Sequence, residues 1–150
     1  MKKIILILAA GLMGFQVMAQ TSAEPFKKAN TIILQTTKTD SANYIQFQRE
    51  LMKFDYSIKK SNKELMTVST DLHALKTHPN WDFLYFFRIQ FIGNNIVIKP
   101  YWKKSLVFLG SADFMRWHYT NSRINVLYPI WVETLELLND YGGTVIYEKR

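Results

Sequence analysis

The sequence predicts an α+β domain: a curled antiparallel β-sheet with two helices on one face. Three observations carry that expectation. Two segments, near residues 41–54 and 122–139, space their apolar side chains as helices do. Short runs rich in β-branched and aromatic residues occupy most of the remaining chain, separated by turn signals. The order is strand, helix, several antiparallel strands, helix, strand.

Taken in order, a polar lead over residues 20–30 precedes TIILQTT (31–37), a β-branched run that reads as a strand. Asp40 or Ser41 is the expected N-cap of the first helix. That helix has Tyr44, Phe47, Leu51 and Phe54 on one side and Gln46, Arg49, Glu50 and Lys53 largely on the other. YSIKK (56–60) and ELMTVST (64–70) flank Ser61-Asn62 as a hairpin, with Lys59, Lys60 and Lys63 around its tip. The polar stretch 71–80, which contains Pro79, reads as a loop.

DFLYFFRIQFIG (82–93) is a long strand, Gly93-Asn94-Asn95 a tight turn, and IVIKPYW (96–102) the returning strand. Pro100 has no N–H to donate, which predicts an edge or a bulge at that end. SLVFL (105–109) and FMRWHYT (114–120) read as two more short strands. The second helix should start at an Asn121 or Ser122 cap and run to about Asn139, with Ile124, Leu127, Trp131, Leu135 and Leu138 as its apolar stripe. Pro129 inside it implies a kink or a restart near a first turn. Gly142 and Gly143 end it, and TVIYE (144–148) is the last strand.

This element order is similar to the helix-grip and TATA-binding-protein-like arrangements of several small bacterial envelope domains, including those of outer-membrane assembly lipoproteins. The resemblance spans most of the chain after residue 19 and involves no shared residue motif. It implies a fold and nothing about activity.

The N-terminus predicts export. Lys2 and Lys3 precede an apolar run over residues 4–15, and Val17 and Ala19 occupy the positions that a signal peptidase reads. The expected leader is residues 1–19, cut between Ala19 and Gln20, with a cut after Ala23 as the alternative. The product is expected in the periplasm or outside the cell, as a single α+β domain over residues 31–150 behind the polar lead. With no cysteine in the sequence, neither a lipid anchor on cysteine nor a disulfide framework is expected. No later apolar run predicts a membrane span, and the strands left after two helices are too few for an outer-membrane barrel. The formal charge is +7; without Lys2 and Lys3, 17 basic side chains stand against 12 acidic ones, leaving +5. That balance suits anionic lipid, an anionic envelope polymer or an acidic protein, and export makes nucleic acid an unexpected partner.

The long strand raises the functional question. Its odd positions (Phe83, Tyr85, Phe87, Ile89, Phe91) form an uncharged face suited to a core. Its even positions (Leu84, Phe86, Arg88, Gln90, Ile92) are mixed and more apolar than a wet face requires. Internal packing under Phe114, Trp117 and Tyr119, a ligand cleft, and a protein contact surface compete to explain the even face. Phe86, Arg88, Gln90, Phe114, Trp117 and Tyr119 are therefore the expected lining of a ligand or partner site.

Catalytic signals are sparse. Asp71, His73 and His78 are weak metal candidates whose spacing matches no established motif. His118 lies among aromatics and could exchange a proton near neutral pH. Glu133 and Glu136 share a helix side, and the simpler reading is a solvated face. Ser105 and Ser111 have no base beside them in sequence, and neither a nucleophile elbow nor a phosphate loop is present. The sequence thus favours a non-enzymatic binding domain without a cofactor, for an apolar or anionic small molecule, a lipid or an envelope protein. A hydrolase using His73, His78 and His118, metal-dependent or not, and a structural assembly factor of the envelope are the alternatives.

Overall fold

The computed structural model describes residues 20–75, 83–104, 114–123, 125 and 127–150. The leader, His78, Asp82, Ile124, the SLVFL segment and the stretch around Ser111 lie outside the described residues.

The strands are β1 (Gln20–Ser22), β2 (Thr31–Gln35), β3 (Ile58–Asn62), β4 (Thr67–Thr70), β5 (His73–Ala74), β6 (Phe83–Ile92), β7 (Asn95–Lys104), β8 (Met115–Arg116) and β9 (Thr144–Lys149). Helices α1 (Asp40–Lys53) and α2 (Leu127–Tyr141) complete an α+β architecture. The sheet runs β1-β9-β2-β7-β6-β4-β3, with β5 beside β6 and β8 beside β7. Every described pairing is antiparallel. No described helix is long and apolar enough to cross a membrane.

The β6–β7 hairpin is the spine. Ile92 pairs with Asn95, so Gly93 and Asn94 alone make the turn, with Gly93 at φ 57°. Tyr85, Phe87, Ile89 and Phe91 are all 3% exposed or less and lie under the helices. Tyr44 and Phe47 of α1 meet Phe91 edge-on at 5.5 and 6.3 Å, and Phe47 meets Tyr141 of α2 at 5.0 Å.

Several local expectations are corrected. The cap of α1 is Thr39, whose hydroxyl accepts from the Ala42 N–H at 3.3 Å; Asp40 sits in the first turn, where a carboxylate favours the helix dipole. Ser61 and Asn62 belong to β3, and the hairpin turns at residues 63–66, where Asn62 Oδ1 accepts from the Leu65 N–H at 2.9 Å. Residues 71–75 are more than a loop, because β5 extends the pairing of β6 beyond β4.

Helix α2 begins at Leu127, with Asn125 Oδ1 accepting from the Leu127 N–H at 3.0 Å. Pro129 is therefore a first-turn residue, and its missing N–H falls among groups that have no intrahelical acceptor anyway. Its buried face centres on Ile130, Thr134 and Leu137, with Trp131 and Leu135 only half-buried beside it. Pro100 lies inside the sheet at a gap in pairing. β2 covers β7 as far as Ile98, and β8 takes over at Tyr101. The Pro100 carbonyl accepts from the Trp117 N–H at 3.0 Å, so its nitrogen also points to that side, away from β6.

Candidate ligand-binding groove

The helix-free face of the sheet carries a groove of about 760 Å³, within the range of small-molecule sites. It is built from side chains that register places opposite one another. On β6 and β7, Phe86 pairs with Tyr101, Arg88 with Lys99 and Gln90 with Val97. Ser69 of β4 lies on the other side of Arg88, and Lys60 of β3 pairs with Ser69. Lys60, Ser69, Arg88 and Lys99 thus form one row across four strands. The β3–β4 register shifts between Ile58 and Lys60, and this irregularity brings the consecutive residues Lys59 and Lys60 both to the groove.

None of the described residues that line the groove is acidic. Arg88 and Lys99 are directly opposite, an arrangement that costs stability in an antiparallel pair. The guanidinium of Arg88 lies 4.6 Å from the Tyr101 ring centre and 5.7 Å from that of Phe86. These rings stack at 5.3 Å with 16° between their planes, and Phe114 meets Phe86 edge-on at 5.0 Å. Lys103 reaches over Phe114 at 5.0 Å. An arginine held against aromatic rings keeps its fork of donors available for a carboxylate or phosphate. Aromatic wall and cationic row together suit a ligand that has an apolar body and an acidic head.

The even face of β6 is therefore divided. Phe86 is 8% exposed beneath Tyr101 and Phe114, whereas Arg88, Gln90 and Ile92 are open to solvent. Of the six expected lining residues, Phe86, Arg88, Gln90 and Phe114 come together, while Trp117 and Tyr119 lie elsewhere. Trp117 is completely buried, with its indole N–H donating to the Leu127 carbonyl at 2.8 Å, and Tyr119 packs on Trp131 of α2 at 5.2 Å. Period-two alternation explains the split: with Phe114 on the groove side, the odd positions 117 and 119 turn to the helices.

The helix side holds a polar cluster around Glu133, a residue expected on a solvated helix face. Glu133 is 4% exposed; its carboxylate accepts from the Tyr85 hydroxyl at 2.6 Å, which lies 2.7 Å from that of Tyr56. Burial pushes the pKa of both tyrosines up, the more so for Tyr85, which also faces the charges of Tyr56 and Glu133. A signal existed, since Glu133 falls three residues after Ile130 and four before Leu137, on the stripe that faces the sheet. Glu136, its expected neighbour on a wet face, is exposed.

His73 packs half-buried against Tyr56 at 4.5 Å and Tyr85 at 5.5 Å, on the helix side. Asp71 is exposed and accepts from the Leu72 N–H, and His118 is exposed on the segment after β8. Among the described residues, no three metal-binding side chains converge. No protein-family model and no curated protein matches the chain.

Proposed function

We propose that this protein is an exported, non-enzymatic binding domain that holds an anionic amphiphile in the groove. Arg88, with Lys99 opposite it and Lys60 beyond Ser69, takes the acidic head, and Phe86, Tyr101 and Phe114 cover the apolar body. One observation carries the reading: three cations in one row across the sheet, with no carboxylate among the described residues of the groove lining. Like charges placed so close weaken the free protein, and an anionic ligand relieves them. Export is supported by the pattern of residues 1–19, and the strand–helix–strands–helix–strand order supports a helix-grip or TATA-binding-protein-like assignment for the fold.

The test is to express the whole chain, collect the exported form and compare native with denaturing mass spectra, then titrate it with a pyrene-labelled fatty acid. An acidic bound mass that vanishes on denaturation, or saturable uptake of the probe, is expected. Protein that is ligand-free and also ignores the probe sinks the reading.

A further inference from the structure

The two turns that border the groove lie at the same end of the sheet. β4 and β6 run antiparallel with Thr67 opposite Gln90, and the Phe91 N–H donates to the Met66 carbonyl at 2.9 Å. The turn at residues 63–66 is therefore beside the Gly93-Asn94 turn. A large apolar side chain meets water at each: Leu65, in the first turn, is 65% exposed, and Ile92, the last β6 residue before the second, 48%. Single exposed apolar residues need no explanation, but these two lie at the same end of the sheet on neighbouring strand-turn segments. Ile92 is on the groove face of β6, one same-face position beyond Gln90, where the groove begins. The β3–β4 hairpin adds Lys59, Lys60 and Lys63 against one acid, Glu64.

We propose that this end of the sheet docks on an anionic bilayer surface. Leu65 and Ile92 enter the headgroup region, while Lys63 and Lys59 meet lipid phosphates and Lys60 is left to the groove ligand. Charge complementarity selects the occupant: a neutral apolar partner would gain nothing from the lysines, and each lysine held near an anionic bilayer contributes about a fivefold gain in binding. The groove mouth then opens at the lipid. The ligand would be an anionic lipid drawn from the membrane, a step that rests on the groove reading above.

The experiment is sedimentation of the exported form with vesicles of phosphatidylcholine alone or mixed with phosphatidylglycerol, beside probe uptake in free solution. Wild type should bind the anionic vesicles at least tenfold more tightly than the neutral ones, and less so as salt rises. Leu65→Ser with Ile92→Ser should weaken vesicle binding by about tenfold or more while leaving probe uptake and the melting temperature near wild type. Wild type that ignores both vesicles, or a double variant that binds like wild type, overturns the docking proposal, and in the first case a protein becomes the occupant to test. Normal vesicle binding with no probe uptake would overturn the groove reading and the lipid-transfer step while leaving the docking surface standing.

Discussion

On the proposed reading, Arg88→Glu separates binding from stability. In the free protein, Arg88 gains its stacking on Tyr101 and Phe86, roughly 0.5–1 kcal/mol at an exposed site. It also stands directly opposite Lys99, at a cost of roughly 0.2–1 kcal/mol. Charge reversal gives up the stacking and turns the opposed pair from repulsion into attraction. The two effects offset, so stability should change by no more than about 1 kcal/mol, a melting shift within roughly 5 °C. Binding has no such compensation. The proposed anionic ligand would lose charge-assisted hydrogen bonds worth about 1.5–3 kcal/mol and meet a carboxylate instead. Affinity for a pyrene-labelled fatty acid should therefore fall at least tenfold. Thermal melts and a fluorescence titration on the same sample read both quantities. A melting temperature lowered by more than about 10 °C would make Arg88 structural, and an affinity within about twofold of wild type would show that the head does not meet Arg88.

Two further predictions concern the rest of the fold. Because Tyr56 and Tyr85 have pKa values raised by burial above the ordinary 10.0, only the unfolded chain ionises them just above pH 10; it then holds fewer protons than the folded one, and stability falls as pH rises. Between pH 10 and 11 each should remove about 1 kcal/mol. The Tyr56→Phe/Tyr85→Phe variant should be less stable at pH 7 yet lose less over that interval, and an equal alkaline loss in urea titrations would refute this origin. At the end of α2, a Cβ on Gly143 would lie 2.5 Å from the Gln35 carbonyl, whereas one on Gly142 meets nothing within 4 Å. Gly142→Ala should then cost about 1–2 kcal/mol for its φ of 82° alone. Gly143→Ala should cost clearly more, since backbone must move; equal melting temperatures would contradict that packing.

How much of this was legible in the sequence depends on the distance over which each feature is decided. The alternation of β6 separates Tyr85 and Phe87 from Phe86 and Arg88 without any knowledge of the partner strands, because side-chain direction is a property of one strand. The same parity, applied to residues 114–119, would have kept Trp117 and Tyr119 out of the groove, and helical spacing would have put Glu133 against the sheet. The cationic row was beyond reach. Arg88 meets Lys99 because a two-residue turn sets the hairpin register, and Lys60 joins them through the irregular β3–β4 pairing and through β4. Turn geometry and the packing of neighbouring strands decide such registers, and the composition of either strand alone leaves them open. The place of β9 between β1 and β2 is likewise a contact across more than a hundred residues of chain.

The division of β6 also bears on how binding could change without loss of the fold. Its odd positions bury aromatic and aliphatic side chains under both helices, and its buried carboxylate partner, Glu133, is reached through the Tyr85 hydroxyl on that side only. Arg88 and Gln90 face the groove and are exposed, as are Lys59 and Lys60 across from them, so substitutions there alter charge with little effect on core volume. Phe86 is the exception, being both groove wall and nearly buried beneath Tyr101 and Phe114. On the proposed reading, a change in the acidic head that is recognised can therefore proceed through the cationic row alone, whereas a change in the apolar body must repack three rings together.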